Sequence, residues 1–202
     1  MAKVNDEFRR VLEHLKADGL LLQNNAKLPS VCALVAGSPV KGSWWAHPRS
    51  HEIFRVTCEL ADHAGVFAAK LVSGKVTFVD RALWPAVVAL GRAREPWQMD
   101  SLSPDAAKLL LRLDKTSPIE TDGATAKPAT ELEKALLVYS EQFHGTAGSH
   151  ARRLESWDQW SERTGFTSRR LERPDHARRK LEEALDALNL QYHARGRLPW
   201  QS

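Results

Sequence analysis

The sequence predicts an α+β chain, mostly helical, in which three helices lead into a β-hairpin. Three observations carry this. Ile53, Phe54, Thr57, Leu60, Ala61 and Ala64 fall on one face of a helix opening at Pro48. Residues 66–71 and 75–79 then change period into short apolar and β-branched runs, divided by Val72-Ser73-Gly74, whose glycine suits a turn at positive φ. Two shorter helical patterns precede them.

Asn5 can cap the first helix, whose face is Phe8, Val11, Leu12 and Leu15, and Gly19 stands at the left-handed C-terminal position. After a polar break at Gln23-Asn24-Asn25, Pro29 opens a second helix through Val31, Leu34 and Val35, closed by Gly37. Beyond the hairpin, residues 81–89 read as a helix that tolerates Pro85 in its first turn and ends at Gly91. Phe54, Leu60, Phe67, Leu71, Val76, Phe78 and Trp84 are expected to converge beneath the hairpin.

The order then recurs in weaker form. Ser103-Pro104-Asp105 caps a helix carrying Ala106, Leu109, Leu110 and Leu113, residues 116–130 read as a loop turning at Asp122-Gly123, residues 131–136 as a short helix and residues 137–143 as a strand. From Ser149 the chain reads as charged helix docking Leu154, Trp157 and Trp160, and from Pro174 as a helix with the stripe Ala177, Leu181, Ala184, Leu185 and Leu188. The expected division is residues 1–100, a second degenerate unit at 101–165, and a basic helical arm at 166–202.

With 202 residues and 43% hydrophobic content, the chain can bury two small cores. Its net charge of +4 suits a polyanion partner, and residues 151–202 hold 11 Lys/Arg against 8 Asp/Glu, three of those four charges. Mixed-sign pairs such as Arg178 and Glu182 give the same stretch a plain solvated helix face. Cys32 and Cys58, the only cysteines, cannot build a disulfide framework or a four-cysteine zinc site and read as core residues. No stretch approaches the ~20 apolar residues of a membrane span, so no membrane partner and a cytoplasmic location are expected.

Residues 41–51 concentrate the unusual side chains. Trp44 and Trp45 can stack on exposed bases, Lys41 and Arg49 can meet phosphates beside a helix N-terminus, and His51 and Arg55 lie on the outer side of the third helix. The rival reading buries both tryptophans, since cores claim aromatic area first. Lys70 and Lys75 flank the hairpin turn, where they can touch a sugar-phosphate backbone or guard the sheet edge. His47 and His51 are four apart, but Pro48 takes His47 off the helical face, and Glu52 is not followed by a histidine at 55, so no metal site is expected. Glu141, His144 and His150 flank the second turn and form the candidate acid/base cluster. No phosphate loop or nucleotide fingerprint is present, and no cofactor is expected.

Three helices followed by a two-stranded wing, with basic and aromatic side chains at the third helix, resemble winged-helix DNA-binding proteins, remotely including tandem winged-helix DNA glycosylases of the AlkZ type. Gln98-Met99-Asp100 matches that family's Gln-x-Asp signature but lies after Pro96-Trp97 rather than beside the wing. The resemblance therefore implies the fold and binding of double-stranded or locally opened DNA, not the glycosylase activity. A nucleic-acid-processing enzyme and a protein-interaction module remain the alternatives.

Overall fold

The computed structural model describes residues 2–144, 150–167 and 172–201. It is α+β and mainly helical, with two small three-stranded antiparallel sheets. Two compact units emerge, one of Met1–Trp84 with Arg179–Ser202, the other of Pro85–Arg178. The expected boundaries at 100 and 165 follow shifts in composition, whereas the compact units divide at 84/85 and 178/179. Residues 179–202 join the first unit through packing: a Cβ on Gly196 would press on Leu28, Val72 and Leu185.

In the first unit α1 (Ala2–Asp18) buries Val11 and Leu15, and Gly19 at φ 74° turns the chain into β1 (Leu20–Leu22). Ser30 Oγ accepts a hydrogen bond from Ala33 N to start α2 (Val31–Ala36). A 3-10 turn at Trp44–Ala46 precedes α3 (Ser50–Ala61), and β2 (Val66–Lys70) and β3 (Val76–Asp80) form the hairpin. The sheet order is β1-β3-β2. Phe78 stands opposite both Leu21 and Ala68, and this face meets Val11, Leu15, Val31, Ile53, Val56 and Leu60 from the three helices. On the opposite face, Phe67 packs on Trp84, whose Nε1 donates to Val79 O at 3.1 Å.

Three expectations fail here. The helix opens at Ser50 rather than Pro48, and its buried stripe is Ile53, Val56 and Leu60. That i, i+3, i+7 line leaves Phe54 on the outside, 40% exposed, instead of in the core. Val76 is half-buried, and although Leu60, Phe67, Leu71, Phe78 and Trp84 are all buried, Phe67 and Trp84 lie on the sheet face opposite Phe78 instead of converging with it.

The second unit contains most of α4 (Trp84–Ala93), then α5 (Pro96–Met99), α6 (Pro104–Lys115), β4 (Ile119–Glu120), α7 (Ala126–Lys134), β5 (Tyr139–His144), β6 (His150–Glu155) and α8 (Trp157–Thr164). Its sheet order, β4-β6-β5, follows the same rule as the first: the last strand of the hairpin lies in the middle. Residues 150–155 are strand rather than the expected helix, because Leu154 pairs with Ile119 and fills the core formed by α6 and α7. The region read as a loop holds β4 and the start of α7. Gly91 lies inside α4 and does not end it; a Cβ there would overlap the Trp157 indole. Trp157 Nε1 in turn donates to Leu136 O at 2.7 Å.

Finally, α9 (Pro174–Gln191) buries Ala177, Leu181, Leu185 and Leu188, as its stripe predicts, while Ala184 is half-buried. Among the described residues no helix is long and apolar enough to cross a membrane.

Candidate nucleic-acid interface

Of the residues ahead of α3, Val40 enters the core and Trp44 packs against it, whereas Trp45 faces solvent. Trp44 and Trp45 stack on each other with ring centroids 3.9 Å apart and planes 25° apart, and Phe54 approaches Trp45 at 5.5 Å. Trp45 is 62% exposed, so the expectation of core-plugging tryptophans fails for it outright, and Trp44 is only half-buried. The cause is local. The 3-10 turn lays Trp44 against the core edge and leaves Trp45 outside it, and His47 Nδ1, accepting from Arg49 N at 3.1 Å, turns the chain into α3. The result is a flat aromatic surface beside the start of that helix.

The basic residues separate into two groups. Arg49 and Arg55 converge on one carboxylate: Arg49 donates to Glu7, and Arg55 lies 3.6 Å from the same side chain. Glu52 at 3.7 Å from Arg49 and Glu59 at 3.6 Å from Arg55 add to the neutralisation. The hydrogen bond to Glu7 holds the Arg49 guanidinium above its ordinary pKa. Arg49, which sequence reading sets against phosphate, and Arg55, on the outer side of α3, thus share three carboxylates of their own unit. Lys41 and His51 are exposed, and Lys75 stands exposed at the hairpin turn with Lys70 half-buried across from it.

The turn between those lysines is built by more than its own residues. Thr77 Oγ1 accepts from Val72 N at 3.1 Å and donates to Lys75 O at 3.0 Å, bracing the turn from within. From outside, Ser73 N donates to Arg197 O at 2.7 Å and Arg197 N donates to Ser73 Oγ at 3.2 Å. Arg197 is a residue that sequence reading missed, since nothing in a local pattern shows that a position 124 residues away meets the turn.

The C-terminal quarter is less available than its composition suggests. Arg163 grips the buried Glu155 through two hydrogen bonds at 2.8 Å, Arg152 binds Glu133 at 2.9 Å, and Arg178 binds Glu95 at 2.7 Å. These three arginines are held in ion pairs inside the second unit.

No family model, curated protein or solved structure matches the chain.

In the second hairpin Glu141 is exposed and stands opposite Arg153. His144 and His150 pair through their backbones at the end of the hairpin, and their side chains lie outside the described residues. The nearby Tyr139 phenol is pushed up to about 12, chiefly by burial and then by the charge of Glu141. Burial likewise pushes the Cys32 thiol up to about 11, which keeps it protonated and inert at neutral pH. Gln98, the first residue of the Gln-x-Asp match, is completely buried: its Oε1 accepts from Glu95 N at 2.9 Å and its Nε2 donates to Ala135 O at 2.9 Å. Both ends of that amide are occupied in holding the fold. Among the described residues no three His, Cys, Asp or Glu side chains gather to hold a metal ion.

Proposed function

We propose that the chain is a winged-helix-like protein that binds double-stranded or locally opened DNA through its first unit. The element order α1-β1-α2-α3-β2-β3, with β3 central in the sheet, supports the winged-helix reading. The observation that carries the functional reading is the Trp44-Trp45 stack at the head of α3, open to solvent through Trp45. A π surface of that kind accepts any base, and its position is where the third helix of a winged helix meets DNA. Lys41, three residues before the stack, and Lys75, at the hairpin turn, supply exposed positive charge on the same unit.

Mobility shift with a duplex and with a duplex containing unpaired bases, at two salt concentrations, tests this. Binding that fades as salt rises supports phosphate contact, and tighter binding to the unpaired substrate supports stacking. Base release or strand cleavage would move the reading to a nucleic-acid-processing enzyme.

A second reading has its own support. Because Glu7, Glu52 and Glu59 neutralise α3, the exposed Trp45 and Phe54 also suit the surface of a protein partner. Absence of shift at low salt would select that reading. The triple change E7Q/E52Q/E59Q discriminates further: it removes all three carboxylates beside Arg49 and Arg55, so on DNA it should raise low-salt affinity and steepen the slope of log affinity against log salt by about 1 to 2. An unchanged slope in anisotropy titrations would place these arginines away from phosphate.

A further inference from the structure

We infer that the segment following α9 is part of the wing and supplies phosphate contacts through Arg195 and Arg197; this rests on the DNA-binding reading above. The segment is held at several points. Asn189 closes a loop on Gly196, accepting from its N at 2.6 Å and donating to its O at 3.0 Å. Gly196 lies so close to Leu28, Val72 and Leu185 that a Cβ would come within 2.9, 3.0 and 3.1 Å of their side chains. Leu198 is buried, and Trp200 Nε1 donates to Glu182 at 2.7 Å. Between these anchors the Arg197 backbone accepts from Ser73 N and donates to Ser73 Oγ at the tip of the hairpin.

The backbone anchoring leaves the charges outside. Arg195 and Arg197 are exposed and alternate with the inward Gly196 and Leu198. Lys75 is exposed two residues from Ser73. Among the described residues no carboxylate pairs with Lys75, Arg195 or Arg197, in contrast to Arg49 and Arg55. An anchored backbone carrying unneutralised guanidinium groups is suited to the sugar-phosphate backbone, where release of counterions drives association. The wing of this protein is thus assembled from two distant stretches of chain, and its charge comes from both.

The test compares the full chain with R195Q/R197Q and R195K/R197K, using fluorescence anisotropy of a labelled duplex across a salt series. Glutamine at both positions should reduce the slope of log affinity against log salt by about 2, about 1 for each lost phosphate contact. The lysine pair should keep the parental slope. Both variants should melt with the parent, since the Ser73 bonds use the Arg197 backbone and the anchors at Gly196 and Leu198 are untouched. If the parent binds with a salt-dependent slope and the glutamine pair does not alter it, the segment is not on DNA, while the DNA-binding reading stands. A lysine pair that loses slope as the glutamine pair does would also overturn the inference, because charge would not be the cause. A parent without salt-dependent binding removes the DNA-binding reading and this inference with it.

Discussion

Phe78→Ala should lower the stability of the first unit by about 3 to 5 kcal/mol, as truncation of a buried phenylalanine does elsewhere. Phe78 lies on the central strand, is 1% exposed, and meets Leu21 on one side and Ala68 on the other. Beneath it sit Ile53 and Leu60, side chains of one helix held in place by the rest of the cluster. The space left by the ring cannot close without shifting the sheet against three helices, so both lost transfer energy and a residual cavity contribute. Hydrogen exchange of the β1–β3 amides reads this unit selectively. A loss below 1 kcal/mol would mean that Phe78 does not anchor the helix layer. Val76→Ala, at a half-buried position on the same face, should cost much less.

Trp45→Ala should do the opposite, sparing the fold and removing binding. At 62% exposure the side chain leaves little void behind when truncated, so the melting temperature should stay close to the parent's. Loss of a stacking platform costs about 1 to 3 kcal/mol per base, roughly 5- to 150-fold in affinity. Phe54→Ala should weaken binding in the same direction by less, since its ring lies 5.5 Å from Trp45 at the margin of the platform. Undiminished affinity for an unpaired substrate in the Trp45 variant would assign the aromatic surface to a protein partner instead. Early melting of the same variant would contradict its exposed position.

The parts of the fold that could be read in the sequence are those governed by neighbours in the chain. The hairpin appears within a residue of its predicted bounds because a change of period and a turn glycine are both local. Ser103 caps α6 as its sequence indicates, its Oγ accepting from Ala106 N at 3.2 Å. By contrast β1 has only three residues, too few to show any period, and exists because β3 offers it an edge. The polar stretch His150-Ala151-Arg152-Arg153-Leu154-Glu155 becomes strand because pairing with β4 and β5 satisfies its backbone and Glu133 and Glu155 take up its arginines. At the candidate site, sequence placed Lys41, Trp44, Trp45, Arg49, His51 and Arg55 around one helix start. It could not show that Glu7, on another helix, reaches Arg49 and Arg55, nor that Trp45 faces water. Those outcomes depend on which residues of α3 face inward, and that is decided by three helices packing on one sheet.

The two-part composition of the first unit has a consequence for how the protein is made. Residues 1–84 leave the ribosome with Leu28, Val72 and the hairpin turn lacking their later partners, because Leu185, Gly196 and Arg197 are encoded after the whole of the second unit. At about 5–20 residues per second, synthesis of the intervening Pro85–Arg178 takes roughly 5 to 20 s, long compared with the folding of a small domain. The second unit is contiguous and can close its core within that interval. The first must hold Leu28 and Val72 uncovered until its remaining residues arrive. Completing the hairpin turn therefore follows synthesis of the second unit, and contacts that depend on it become available only then.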